Sequence, residues 1–184
     1  MQFETIHTPR LLLRKITPEV YRFVFTHYTE EELQRFFGFH TEEDRLKEHE
    51  RFEKGVSTFN KSFAMFQLLD NNSGKVIGSC GYHTWYLEHR RAEVGYALTN
   101  DEFKQKGLMK EALGTVLQYG FNVMNLHRVE AFVAPENEPS LKLVRHFGFT
   151  QEGHLREHYF KNGVVEDSIV FSLLQSEYRQ QTKP

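Results

Sequence analysis

Three short stretches carry residue types that could do chemistry. Lys104-Gln105-Lys106-Gly107-Leu108-Met109-Lys110 is a basic turn with a glycine, set between an apolar strand pattern (Ala92 to Leu98) and an amphipathic helix pattern running from about Leu108 to Met124. The first N–H groups of a helix have no intrahelical partner, and the helix dipole adds partial positive charge there, so such a turn suits a phosphate or pyrophosphate. Lys and Gly also serve solubility and turn geometry, so the turn alone does not decide. Asn137 and Ser140, three apart, straddle a second helix start. Asn at that place is an ordinary N-cap with Ser140 in the same capping network, and the same geometry sets an amide and a hydroxyl at the mouth of a cleft. Glu93 is a carboxylate within an otherwise apolar strand pattern, where its charge must be paired or solvated. It reads either as a strand-end partner of Arg90 or Arg91, or as a general base facing a cleft and acting through water.

Other reactive side chains carry less. His154 and His158 mimic a zinc-helix spacing but fall in a strand pattern, where positions four apart lie about 13 Å from each other, too far to share an ion; no metal is expected. Cys80, flanked by strand residues, reads as a buried small hydrophobe. Gly74-Lys75 lacks the upstream glycine of a phosphate loop.

The elements that position these groups follow from caps and periodicity. Thr8 to Arg14 reads as a first strand. Thr17-Pro18 and the Thr29/Glu32 pair signal two helix starts, the second helix ending near Gly38, and Thr41 opens a third that ends near Gly55. The period then changes. Ser62 to Leu69, Lys75 to Tyr86 and Arg91 to Leu98 read as three strands in two antiparallel hairpins. After the Leu108 helix come a strand from His127 to Val133, a helix from Pro139 to Phe147, and two strands (Thr150 to Phe160, Val165 to Leu173) joined at Lys161-Asn162-Gly163. A strand–helix–strand unit from Arg91 to Val133 implies two parallel neighbours, and ligands of such sheets bind at the carboxyl ends of the strands, here beside Leu98 and Val133.

Composition bounds the class. The 184 residues suffice for a sizeable core and show no linker or repeat, so one domain, 1–184, is expected. A net charge of −2 gives no support to a nucleic-acid surface, and a lone cysteine rules out an intrachain disulfide framework and suits a reducing cytoplasm. No apolar run approaches the roughly 20 residues of a membrane span, nor does the N-terminus show a signal-peptide core, so a cytoplasmic protein with no membrane contact is expected. The aromatic-rich final strands suit a buried sheet or a dimer interface equally, which leaves monomer and homodimer open.

Taken in order, Thr8-Pro9-Arg10-Leu11-Leu12-Leu13-Arg14, Ala92-Glu93-Val94-Gly95-Tyr96, the Lys104–Met109 loop, Asn137-x-x-Ser140, Phe147-Gly148-Phe149, Glu152-Gly153, Leu155-Arg156 and the final hairpin with Gly163 and Asp167 resemble the GNAT acyltransferase superfamily, and within it the ribosomal-protein N-acetyltransferase (Rim-type) group. The likeness spans nearly the whole chain. It implies an α/β fold: a mixed, mostly antiparallel sheet of about seven strands with one parallel pair at an acyl-CoA cleft and helices on both faces. It implies an acetyl-CoA (coenzyme A) co-substrate and direct transfer to an amine in a ternary complex. In the family's R/Q-x-x-G-x-G/A loop, Lys104 takes the first place, Gly107 the central one and Met109 the last, with Gln105, Lys106, Leu108 and Lys110 completing the cradle. Many members carry a Tyr acid seven residues after the Asn; Val144 stands there, so Ser140 becomes the candidate acid. Glu93 becomes the first candidate base and Glu157 the second. Amides near Ala97 and Leu98 would polarise the thioester carbonyl, and Asn137 would orient the pantetheine arm or a water on it. The acceptor expected is a protein or peptide N-terminus, such as that of a ribosomal protein, whose amine, with a pKa near ~8, must be neutral to attack. The acid-rich early helices, if they border the acceptor entrance, would favour a cationic acceptor. Small amines (a polyamine or antibiotic), a non-catalytic acyl-CoA-binding module and a nucleotide-binding protein are the alternatives.

Overall fold

The structure, a computed structural model, describes residues 1–39, 41–53, 55, 58, 60–161 and 163–181; Asn162 of the expected hairpin turn lies outside them. Among the described residues, eight strands form one sheet: β1 (Thr5–His7), β2 (Leu11–Ile16), β3 (Lys61–Asp70), β4 (Val76–Tyr86), β5 (Arg91–Leu98), β6 (Arg128–Val133), β7 (Thr150–Lys161) and β8 (Val164–Leu174), in the order β1-β2-β3-β4-β5-β6-β8-β7. Every pairing is antiparallel except β5 with β6. The eighth strand comes from the N-terminus. The segment read as one strand is a hairpin in which Thr8 N–H donates to Leu11 O at 2.9 Å, and β1 and β2 pair on either side of Pro9.

Among the described residues, six α-helices flank the sheet: α1 (Pro18–His27), α2 (Glu30–Phe37), α3 (Glu42–Glu53), α4 (Leu108–Asn122), α5 (Glu138–His146) and α6 (Gln175–Gln181). Local chemistry starts and stops them as expected. The Thr17 side chain accepts from Val20 N–H ahead of Pro18, Thr29 and Glu32 form a reciprocal capping box, and Gly38 ends α2 in the left-handed region. The short helix α6 has no apolar stripe to announce it; Tyr178 stacking on Phe121 at 4.7 Å docks it. None of the described helices is long and apolar enough to cross a membrane.

Strand alternation divides the core between the two faces. Leu13, Phe66, Tyr82, Ala92 and Val94 bury against α4 and α5, while Ile16, Phe63 and Met65 pack with Tyr21, Val24, Leu33 and Phe36 of α1 and α2. Burial of this order, about 1.5–3 kcal/mol for each large apolar side chain, makes the sheet a rigid frame.

The parallel pairing of β5 and β6 is short: Arg91 with Arg128, Ala92 with Val129 and Glu93 with Glu130. Beyond Glu93, β5 stays paired with β4 as far as Leu98, and beyond Glu130, β6 stays paired with β8 as far as Val133. The two strands therefore separate from each other while each keeps its outer partner. An ion network closes the foot of this gap. Arg91 Nη1 meets Glu130 Oε2 at 2.6 Å, Arg128 Nε meets Glu130 Oε1 at 2.8 Å, and Arg128 also pairs with Glu152, which accepts from Ser172 Oγ at 2.7 Å. The Arg128 guanidinium and the Ser172 hydroxyl hold the Glu152 carboxyl down at about 2. A depressed folded pKa adds stability at pH values above the ordinary carboxylate range, and that stability is lost as pH falls toward 2. Glu152→Gln should therefore be less stable than wild type at pH 6 in urea unfolding, and the difference should shrink steadily between about pH 4.5 and 2. An unchanged difference across that window would show that the network contributes nothing through charge.

Candidate active site

The gap between β5 and β6 holds a cavity of about 220 Å³ whose polar walls include Glu93, Asn137, Ser140 and Tyr159. A broader groove of about 1170 Å³ lies between the sheet and α2 and α3. His83, Gly95 and Tyr96 line both, so the two spaces meet at β5.

Glu93 is not paired with either arginine expected from the sequence. Arg90 donates to Asn125 and Arg91 is held by Glu130. Its partners come from elsewhere: His83 Nε2 at 3.2 Å and Tyr159 Oη, which donates to Glu93 Oε1 at 3.4 Å. A β-bulge brings His83 there. Tyr82 pairs with Val94 but Thr84 pairs with Glu93, which leaves His83 as the extra residue. Gly95 is required beneath it, since a Cβ would lie 2.5 Å from His83 Cδ2. Burial, the Glu93 charge and the bond to Glu93 raise the Tyr159 phenol, which keeps it protonated and donating.

Glu157, the second candidate base, lines neither space. An irregularity between Leu155 and Tyr159 turns it outward with φ +52°, and its N–H donates to Asp167 Oδ1 at 2.8 Å. The same irregularity gives His154 and His158 partners in Asp167 (2.7 Å) and Ser168 (3.0 Å).

Asn137 acts as the N-cap of α5, with Oδ1 accepting from Ser140 N–H at 3.2 Å. The capping reading holds for Asn137, while Ser140 lines the cavity with its hydroxyl beside that of Tyr96. Val144 is fully buried in the core. The residue that sequence reasoning missed is Tyr96. Among the described residues, its hydroxyl is the one buried side-chain polar atom without a satisfying hydrogen bond. Burial pushes this phenol up, and the Ser140 hydroxyl beside it offsets part of that rise without a well-directed bond.

Ladder phase decides which β5 amides face the gap. Thr99 N–H donates to Ile77 O at 3.0 Å, and with Gly78 opposite Leu98 this makes Ser79–Ala97 a hydrogen-bonded pair. The Ala97 N–H is thus turned toward β4, contrary to the expectation that it faces substrate. The amides of Tyr96 and Leu98 point to the side that β6 has left, whereas that of Val94 still faces the last parallel pair, Glu93 with Glu130.

At the mouth lies the Lys104–Lys110 loop. It passes through left-handed Gln105 (φ +59°) and Gly107 (φ +75°), and Gly107 starts α4 with no side-chain cap. The first N–H groups of α4 are therefore open to a ligand. Leu108 is buried and Met109 packs on the core, so Met109 does not crowd the loop, while Lys106 and Lys110 are exposed. Lys104 Nζ pairs with Asp101 at 2.6 Å. Glu111, in the first turn, would repel an anion, but it is neutralised. Arg10 Nε meets its Oε2 at 2.7 Å, Thr8 Oγ1 donates to its Oε1 at 2.6 Å, and Arg10 Nη1 donates to Lys106 O at 2.7 Å. Burial would raise the Glu111 carboxyl, yet these bonds outweigh it and hold it low.

A strand gap capped by an uncapped, glycine-led helix on one side and a hydroxyl-bearing helix on the other is the arrangement of an acyl-CoA-dependent transferase. Residues 10–150 match the acetyltransferase (GNAT) domain, and the chain belongs to that family. It is an acetyl-CoA-dependent N-acyltransferase. It is 30% identical to the uncharacterized N-acetyltransferase YoaA of Bacillus subtilis over 94% of this chain and 97% of that protein. It is 32% identical to YdaF of the same organism, named as a candidate ribosomal N-acetyltransferase, over 57% of each chain. The solved spermidine/spermine N-acetyltransferase SpeG from Vibrio cholerae superposes with a TM-score of 0.67 at 28% identity, covering 95% of this chain and 98% of that one.

If the Arg10–Glu111 clamp holds the loop for an anion, Arg10→Ala should weaken coenzyme A binding about tenfold in titration calorimetry. Adding Glu111→Gln should recover much of that loss by removing the unbalanced carboxylate. Unchanged affinity in Arg10→Ala would separate the clamp from the ligand.

Proposed function

We propose that the whole chain, 1–184, is one catalytic domain that moves the acetyl group of acetyl-CoA onto the α-amine of a peptide N-terminus, by direct attack in a ternary complex. The observation that carries this reading is the meeting of the small inter-strand cavity and the broad groove at His83, Gly95 and Tyr96, with Glu93 at the junction. The donor enters from the cavity side. The backbone of Lys104, Gln105, Lys106, Gly107, Leu108, Met109 and Lys110 takes its pyrophosphate, and the free amides of Tyr96 and Leu98 pair with the pantetheine arm and polarise the thioester. Asn137 fixes the start of α5 and thereby the Ser140 hydroxyl at the cavity wall. Acetyl-CoA supplies the activated acyl group; Glu93, directly or through a water, takes the proton of the attacking amine.

The groove supports a peptide. Its volume exceeds the roughly 300–1,000 Å³ of a small-molecule pocket, and its walls include Tyr21, Phe37, Phe39 and Phe63. Four of the acids of α2 and α3, read from the sequence as a cation-attracting rim, are paired with their neighbours: Glu42 and Glu30 with Arg45, Glu43 with Lys47, and Glu48 with Arg51 and the Tyr21 hydroxyl. That leaves mixed, aromatic walls rather than a carboxylate cage for a polyamine. A polyamine acceptor is the second reading, favoured by the full-length likeness to a spermidine/spermine acetyltransferase.

Coenzyme A release with an amine panel tests both. A peptide N-terminus is expected to exceed spermidine in kcat/KM by at least about tenfold, and the reverse order would hand the site to the polyamine reading. Glu93→Gln should lower kcat about 100-fold while coenzyme A affinity stays unchanged. Full kcat in Glu93→Gln would remove it as the base.

A further inference from the structure

We infer that Tyr96, rather than Ser140, is the proton donor to the departing sulfur; this rests on the transfer reaction proposed above and deepens it. The Tyr96 hydroxyl is buried, which is costly unless a partner satisfies it, and among the described residues no other buried side-chain polar atom is left in that condition. Tyr96 belongs to the strand whose free amides face the gap, and its hydroxyl lies beside that of Ser140, a residue of the cavity wall. The ring is packed against the α4–α5 core, so the hydroxyl is held in place by its own ring. A buried, fixed donor without a well-directed partner in the protein is poised for a group that arrives with substrate. Ser140 Oγ stands beside it and can accept or pass a hydrogen bond, which makes Ser140 a positioning residue.

The step balances without a further reactant. The neutral amine forms the C–N bond to the acetyl carbonyl carbon, and the nitrogen proton goes to Glu93. The C–S bond breaks with its electron pair on sulfur. The Tyr96 O–H gives its proton to that sulfur, and the transient phenolate regains one from Glu93 through water, so coenzyme A leaves as the thiol and no net proton is gained or lost.

Tyr96→Phe deletes the hydroxyl and keeps the ring. On the full chain with acetyl-CoA and whichever amine turns over best, it should lower kcat about 100-fold and leave the KM for acetyl-CoA within about twofold. Its thermal midpoint should equal or exceed that of wild type, because an unsatisfied group has been removed. Ser140→Ala should lower kcat by about tenfold or less, and the double variant should be no slower than Tyr96→Phe, as expected for one proton path. With S-acetyl-4-nitrothiophenol as donor, whose thiol needs no proton to leave, the Tyr96→Phe loss should fall to a few-fold. Three results would overturn the assignment: kcat within threefold of wild type, a raised KM for acetyl-CoA at unchanged kcat, or an equal loss with both donors. Glu93→Gln measured in parallel keeps the two readings apart. An undiminished kcat there, alongside a large Tyr96→Phe loss, would overturn the base and leave the acid standing.

Discussion

Three parallel residue pairs hold β5 to β6, and the site exists because the ladder stops there. In a continuous sheet the N–H groups of Tyr96 and Leu98 would be consumed by a neighbouring strand, as buried backbone donors nearly always are. Here they are left facing a gap that β4 and β8 hold open from outside, since each of the parting strands keeps a full antiparallel partner. In the binding mode proposed above, an extended, amide-bearing ligand takes the missing strand's place and meets the cost of the unpaired amides. The ion network of Arg91, Glu130, Arg128 and Glu152 fixes the point of parting, so the opening is set by charge at its foot and by ladders at its sides.

The same economy of backbone governs the loop at the mouth. A helix that begins at a left-handed glycine cannot cap itself, and α4 accordingly presents bare N–H groups. The carboxylate in its first turn, Glu111, would stabilise an empty helix but oppose a bound phosphate. Arg10 and Thr8 resolve that conflict by spending the Glu111 charge within the protein. This also explains why a Thr-Pro-Arg segment from the N-terminal hairpin belongs to the site: it is remote in sequence, and its function is to set the field at another element's end.

What the sequence made legible is what local chemistry controls. Thr17, the Thr29/Glu32 box, Gly107 and Asn137 announce their own caps, and the helix and strand periods lead to a parallel pair beside them. Glu93 stood out because a carboxylate interrupts an apolar strand. Its partners did not, because His83 depends on one inserted residue in β4 and Tyr159 on an irregularity in β7, neither of which leaves a periodic trace. Tyr96 was hidden for the opposite reason. Alternation assigns it to the core face, and an aromatic residue there reads as packing until its hydroxyl is seen to lack a partner. The Ala97 amide was misassigned because the direction of a backbone N–H depends on ladder phase, which a sequence does not contain.

Strand geometry then assigns the proton chemistry to two sides. Glu93 and Tyr96 are three residues apart on one strand, so their side chains leave it on opposite faces. Ala92 and Val94 share the Tyr96 face and bury against α4, while Gly95 shares the Glu93 face and lies under His83. On the proposed assignment the base therefore stands on the α1–α3 face of the sheet, and the acid on the face of α5. Only where the sheet has parted can a reacting pair span both. In the proposed transfer, an amine arriving from one face and a thioester lying along the other would meet in the plane of β5 itself, each beside the group assigned to it. Acceptor choice can thus vary with α2, α3 and their groove, while the transfer chemistry stays fixed in a strand that those helices do not contain.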